Sequence, residues 1–327
     1  MNRSSFGPDD LSTLLLRLYR LSHEVPMTDF QGVTLKLLQE ALPFDSSMWG
    51  SATSTPRGID IHTIHLHNQP PEMLTAYEEL KHLDTAGQAA ASQPHKVLDF
   101  NAHDWFNRPE QAPLRDYGKR FEQANFFIVS DFDPMTHLVS WVTLFRADDN
   151  ARFTPAESHV LGLLAPHMMQ ALTLNRLAHL DRLETPGVVG HGSAICDPRG
   201  TIHHADVNFE ALAKAQWPGW TGRRLPDGVL AFFLGGGAVY RGAIAVVSLR
   251  QEQDLLFLRA RPRSCVDDLT AKERQVAELV ARGSTYKQIA QILHRSPATV
   301  RNQIRSIYDK LQISHIAGLI AALRATG

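Results

Sequence analysis

Two segments near the start of the chain, Leu11 to Tyr19 and Val33 to Leu42, carry apolar residues at helical spacing, with a turn around Pro26 between them. The period then shortens toward two. Ser46 to Ser51 and Ile59 to His67 read as strands, the second alternating in part through Ile59, Ile61, Ile64 and Leu66. Pro70-Pro71 ends that run, and Glu72 to Leu83 reads as a short helix; from Ala89 to Pro113 neither period is sustained. A helix over Arg115 to Gln123 follows, then strands Asn125 to Asp131 and His137 to Arg146, with a turn at Asp133-Pro134. Phe153 to Glu157 is a helix start: Thr154 can cap, Pro155 takes the first helical position, and Glu157 falls three residues after the cap. That helix is expected to reach about Leu183, with Pro166 as a place for a kink. A helix this long at a domain end either pairs with its copy in a second chain or is buried in its own domain.

Thr185-Pro186-Gly187 breaks the pattern and marks a domain boundary. Beyond it lie a strand (Ser193 to Cys196), an Asp197-Pro198-Arg199-Gly200 turn, a second strand (Thr201 to His204) and a helix from Asn208 to Ala215. A Pro- and Gly-rich stretch, Trp217 to Gly237, precedes two more strands, Ala238 to Leu249 and Asp254 to Arg261, which completes a small α+β sheet domain. The remainder is helical. Thr270 with Glu273 and Thr285 with Gln288 are capping boxes, Gly283 closes the first helix, and Ser296-Pro297 opens a third. Val300, Ile304, Ile307, Tyr308 and Leu311 form the apolar face of that third helix, and Ser314 to Leu323 is a fourth.

At 327 residues the chain is long enough for two or three domains, and 43% hydrophobic with 20% charged residues is an ordinary globular mix. The net charge of -1 conceals a division. From Thr270 onward nine Lys and Arg face three acids, a net +6, which leaves -7 for residues 1–269. Concentrated basic charge on a compact helical unit suits phosphate contact, although a solvated face on a regulatory bundle has the same charge. The third helix distinguishes them: Ala298, Arg301, Asn302 and Arg305 share its outer face. There an arginine can reach guanine O6 and N7, and an asparagine can pair with adenine. A helix crossing the backbone just before it completes a helix-turn-helix.

Leu269-Thr270-Ala271-Lys272-Glu273-Arg274-Gln275-Val276, then Gly283, Ile289-Ala290, Ser296-Pro297-Ala298-Thr299-Val300-Arg301 and Ile307-Tyr308-Asp309-Lys310-Leu311 resemble the LuxR-type DNA-binding domain over residues 267–327. The resemblance implies an all-α four-helix domain whose third helix reads DNA and whose last helix helps a homodimer form on a pseudo-palindromic operator in double-stranded DNA. Carried over by position, Arg301, Asn302 and Arg305 become base contacts, and Lys287, Thr299, Gln303 and Lys310 backbone contacts, with RNA polymerase a further protein partner. Ser284, Gln303 and His315 depart from the leucine, histidine and arginine usual in that family. Asp197 to Ile202 with Asn208-Phe209 resembles the opening of a PAS-type sensor domain spanning residues 188–262, and residues 1–185 resemble a GAF-like or PAS-like sensor. The implied fold class is multidomain α+β: GAF/PAS-like sensor domains followed by the helix-turn-helix.

No cofactor is expected, and no enzyme, since no nucleophile–base pair or metal spacing stands out. Of His62, His65 and His67, the first faces away from the other two on a strand, so a pocket or surface role outweighs a metal site. Cys196 reads as a buried strand residue, and Gly235-Gly236-Gly237 lacks the lysine and serine of a phosphate loop. Trp49, Trp105, Phe106, Tyr117, Phe126, Phe127 and Trp141 are candidates to line a pocket for a small organic effector, with plain core the alternative for each. Two cysteines, no secretory leader and no run of 18 apolar residues lead to the expectation of a cytoplasmic protein without a membrane span. The effector reading competes with a second one, in which degenerate sensor folds serve only dimerisation or protein contact.

Overall fold

A computed structural model of the chain describes residues 7–55, 58–182 and 191–324. Two compact units divide it, Met1–Thr185 and Pro186–Gly327. The boundary motif Thr185-Pro186-Gly187 and the expected helix end at Leu183 lie outside the described residues.

The first unit runs α1 (Pro8–Glu24), α2 (Phe30–Ala41), β1 (Ser46–Thr55), β2 (Gly58–His67), α3 (Glu72–Leu80), α4 (Thr85–Ser92), β3 (Leu98–Asn101), α5 (Ala102–Trp105), α6 (Ala112–Arg120), β4 (Asn125–Phe132), β5 (Val139–Arg146) and α7 (Pro155–Arg182). Its five strands form an antiparallel sheet in the order β2-β1-β5-β4-β3. Alternation sends Trp49, Phe127, Val129, Val142 and Leu144 to one face, where they pack with Phe30, Leu35, Leu161 and Met168 of α2 and α7 and with Leu14 and Leu18 of α1. Helix α7 runs unbroken through Pro166 and is a core helix of its own unit. Its start is fixed by the expected box, with the Thr154 backbone N–H donating to Glu157, and Glu157 also holds Arg146 of β5 at 2.7 Å. The aperiodic stretch from Ala89 to Pro113 contains the end of α4, then β3 and α5, elements too short to display a period.

The second unit begins with β6 (Gly192–Cys196), β7 (Ile202–Ala205), α8 (Val207–Gln216), α9 (Asp227–Leu234), β8 (Val239–Arg241), β9 (Ala245–Glu252) and β10 (Leu255–Pro262). Its sheet order, β7-β6-β10-β9-β8, repeats the order of the first. The Asp197 carboxylate accepts from the backbone N–H of Arg199 and Thr201, and Gly200 (φ +85°) occupies the left-handed position that closes the turn. Two expectations need correction here. The Pro- and Gly-rich stretch holds α9, ended by Gly235-Gly236-Gly237, and the single strand expected over Ala238 to Leu249 is two, β8 and β9, separated by a turn at Gly242.

Four helices complete the unit: α10 (Ala271–Ala281), α11 (Tyr286–Ile292), α12 (Pro297–Leu311) and α13 (Ile316–Arg324), around a core of Val276, Val280, Ile289, Val300, Ile307 and Leu319. The boxes at Thr270 and Thr285 and the Ser296 cap are all formed. A 3-10 turn, Cys265–Asp268, joins β10 to α10. Its Asp267 carboxylate, 1% exposed, accepts from both terminal nitrogens of Arg261 at 2.7 and 2.6 Å, and Arg274 of α10 lies 3.9 Å away. Burial raises the Asp267 pKa, but Arg261, the Ser264 backbone N–H and Arg274 outweigh it and hold the carboxyl below the usual range. Among the described residues no helix is long and apolar enough to cross a membrane.

Candidate ligand cavity and nucleic-acid interface

The second face of the first sheet is not filled. A cavity of about 120 Å³ lies between it and the helices α3 to α6. Strand alternation supplies one wall: Phe126, Ile128 and Ser130 from β4, Trp141, Thr143 and Phe145 from β5, Met48 from β1. Helix α4, Thr-Ala-Gly-Gln-Ala-Ala-Ala-Ser, explains the room, because Gly87, Ala90 and Ala91 reach only a short way toward the sheet. Gly50 makes room for the Trp141 ring of that wall. It stands opposite Trp141 in register, and a Cβ there would lie 2.3 Å from the Thr63 carbonyl oxygen and 2.8 Å from the Trp141 ring.

Polar groups gather at one end. The Tyr77 hydroxyl donates to Asp84 Oδ2 at 2.7 Å, while Oδ1 of the same carboxylate accepts the N–H of Ala86 and Gly87 and caps α4. Burial and the Asp84 charge raise the Tyr77 pKa, and the same two causes raise that of Tyr117, so both phenols stay protonated as donors. An apolar chamber with a carboxylate, two phenols and the Ser130 and Thr143 hydroxyls suits a small, largely apolar molecule with a polar group.

Four of the seven aromatic candidates, Phe106, Tyr117, Phe126 and Trp141, line the cavity. Trp49 and Phe127 do not: each neighbours a cavity residue in sequence and therefore points through the sheet into the α2–α7 core. Trp105 is 43% exposed, stacks edge-on against Phe100 outside the chamber, and its indole N–H donates to Thr85. Asp84, Tyr77, Ser130 and Thr143 were not among the candidates. The alternation of Phe126-Ile128-Ser130 and Trp141-Thr143-Phe145 is the signal that identifies the last two.

Among the described residues no group of three His, Cys, Asp or Glu could hold a metal. His62 bonds to Thr53, and His65 faces Gly32. Cys196 is fully buried, and burial followed by the Asp197 charge pushes its thiol pKa up, away from the thiolate.

In the second unit, α12 presents Ala298, Arg301, Asn302 and Arg305 to solvent while Val300, Ile307 and Leu311 are buried beneath. Its N-terminus is capped by Ser296, whose hydroxyl accepts from the Thr299 N–H and sits 2.7 Å from the Thr299 hydroxyl. Lys287 is exposed in the first turn of α11. Gln303 is half-buried, with its carbonyl oxygen accepting from Arg295 at 2.8 Å, and its amide group keeps two hydrogens to donate. Lys310 sits 2.6 Å from Glu273, the capping-box acid of α10, so its charge is already shared with a carboxylate. Asn302 also borders an open groove with Thr270 and Lys272, which adds Lys272 to the cations on this side.

Residues 267–323 match the family model of bacterial regulatory proteins, luxR family. The C-terminal domain is a LuxR-family DNA-binding helix-turn-helix. Among solved structures the chain is similar to SdiA of Escherichia coli, at 14% identity over 97% of both chains with a TM-score of 0.40. It is similar also to the N-acylhomoserine-lactone-dependent LuxR-family factor CepR2 of Burkholderia cenocepacia, at 19% identity over 54% of this chain and 99% of that one (TM-score 0.38). The LBD domain of VqsR from Pseudomonas aeruginosa matches at 13% identity over 53% of this chain and 99% of that one (TM-score 0.37). No curated protein matches the chain. Within the LuxR-family domain α11 precedes α12 across a turn at His294, whose φ is +50°.

Proposed function

We propose that the protein is a cytoplasmic, homodimeric, sequence-specific transcriptional regulator, whose operator affinity is set by a small, largely apolar ligand held in the cavity of the first unit. The observation that carries the reading is the exposure of Arg301, Asn302 and Arg305 together on one face of α12, in a segment of net charge +6. These three take the base contacts; Lys287, Thr299 and Gln303 bind the backbone, joined by Lys310 when it leaves Glu273. Two copies place their α12 helices in successive major grooves about one helical turn apart on a two-fold operator. A cavity of this size admits a single ring or a short chain, by comparison with an engineered cavity of about 150 Å³ that takes benzene. The Asp84 carboxylate and the Tyr77 oxygen, whose proton goes to Asp84, offer that ligand acceptors.

The test starts with a duplex selected from a random library by the full chain. Arg301→Ala and Arg305→Ala should each weaken binding to it more than to a scrambled duplex, and affinity for both duplexes should fall steeply with salt. Equal loss on both would reduce that arginine to a phosphate contact. For the ligand, a panel of small aromatic and short-chain compounds is screened by thermal shift of the full chain, and each stabiliser is tested for its effect on DNA affinity. A panel without any stabiliser would favour a ligand-independent regulator whose sheet units serve only assembly.

A further inference from the structure

Two arginines stand on the exposed face of α12, and the structure treats them differently. Arg305 meets no ring and no acid among the described residues. The guanidinium carbon of Arg301 lies 4.6 Å from the centre of the Tyr286 ring. Tyr286 is the first residue of α11, directly after the Thr285 cap, and its ring is half-buried against the hydrophobic core of the helix-turn-helix. A capped helix start and the packed core fix the ring, and the ring in turn holds one otherwise free arginine of the face.

We infer that Tyr286 is a positioning residue that aims Arg301, so that Arg301 discriminates between bases more sharply than the unsupported Arg305. The reading rests on the proposal that Arg301 contacts bases. Its physical content lies in the shape of the guanidinium. The guanidinium carbon lies over the ring, a contact that supplies no lone-pair acceptor, so the N–H groups in the guanidinium plane keep their capacity for the paired acceptors O6 and N7 of a guanine. An arginine already held near one rotamer loses less freedom when it docks and tolerates a misplaced acceptor less well. Arg305, lacking such a support, can turn toward a base or a phosphate.

The experiment uses the full chain and two duplexes, one selected from a random pool and one scrambled. Tyr286→Leu is expected to weaken the selected duplex about tenfold and the scrambled one less than twofold. Tyr286→Phe, which keeps the ring face, should stay within about twofold of the wild type on both. In an Arg301→Ala background Tyr286→Leu should cause no further loss, since the two residues act through one contact. Should Tyr286→Leu fail to fold, Tyr286→Gln, which removes the ring from the half-buried start of α11 but keeps a long side chain, supplies the same test, and unchanged discrimination in it overturns the positioning role. Equal loss on both duplexes for Tyr286→Leu, or added loss in the Arg301→Ala background, overturns the positioning role. If Arg301→Ala itself weakens both duplexes equally, the base-contact reading fails; if it is selective while Tyr286→Leu is neutral, only the role of Tyr286 falls.

Discussion

The two five-stranded sheets share one strand order and differ in what lies against them. In the first, the helix over one face points Gly87, Ala90 and Ala91 toward the sheet, and a chamber remains between the two. In the second, the strand supplies the small residue instead. Gly192 of β6 lets α8 come so close that a Cβ there would lie 2.1 Å from the Phe209 backbone nitrogen, and Phe209 is fully buried against Leu256, Leu258 and Phe233. A glycine in the strand brings the helix down onto the sheet, whereas alanines on the helix leave a gap. The same topology thus leaves a cavity beside the sheet or brings a helix close onto it according to which partner carries the small side chains.

Several substitutions should separate the two sheets. Phe209→Ala, in the core of the second sheet, should cost about 3–5 kcal/mol by chemical denaturation; a loss under about 1.5 kcal/mol would mean that this core is not tightly filled. Gly192→Ala should cost about 1–3 kcal/mol, because the atom it would strike is backbone and cannot turn aside. The matching change in the hollow unit, Gly87→Ala, meets the Asp84 carboxylate at 2.9 Å and the end of Ile59 at 3.0 Å, both side chains that can shift, while helix propensity improves by about 1 kcal/mol. It should be neutral within about 1 kcal/mol, and a cost equal to that of Gly192→Ala would erase the contrast. Ala91→Leu should leave the melting temperature within a few degrees yet reduce binding of a small apolar fluorescent probe by about tenfold or more; unchanged probe binding would place the probe elsewhere.

The smallest effect is with pH. Asp267 has a folded pKa held below the unfolded value of about 3.9, so its contribution is full above that value and disappears as pH falls through it toward the folded pKa. Asp267→Asn should therefore flatten the melting profile below about pH 4 and lower stability at pH 7. A variant with the wild-type acid slope would assign that slope to other carboxylates, such as Glu157. Burial raises the pKa of Glu157, while Arg146 and the Thr154 backbone lower it further than burial raises it.

What was legible in the chain follows the range of the interactions involved. Caps are local, and so Thr270, Thr285 and Ser296 place three helices of the reader to the residue. Once the helix was placed, periodicity put Arg301, Asn302 and Arg305 on one face. The cavity was legible only in part. Tyr117 and Trp141 could be named as aromatics in the right region, but adjacent residues such as Phe126 and Phe127 are separated only by the strand's alternation, which assigns them to opposite faces. Asp84 gave no pattern, because its partner Tyr77 meets it across a helix-to-helix turn. Pairings such as Lys310 with Glu273, 37 residues apart, and Arg301 with Tyr286 depend on how helices cross and have no signature in spacing.

The Arg261–Asp267–Arg274 joint has a consequence for anyone cutting and recombining this chain. It fastens the last strand of the second sheet to the first helix of the reader within fourteen positions, through a carboxylate almost wholly shielded from water. A fusion made between Pro262 and Asp267 would leave Asp267 without Arg261, one made between Asp267 and Ala271 would part it from Arg274, and a buried charge stripped of its partners is poorly tolerated. The interchangeable cassette is therefore the second sheet together with the helix-turn-helix, and a transplant of the reader alone should carry Asp267→Asn or take Arg261 along with it.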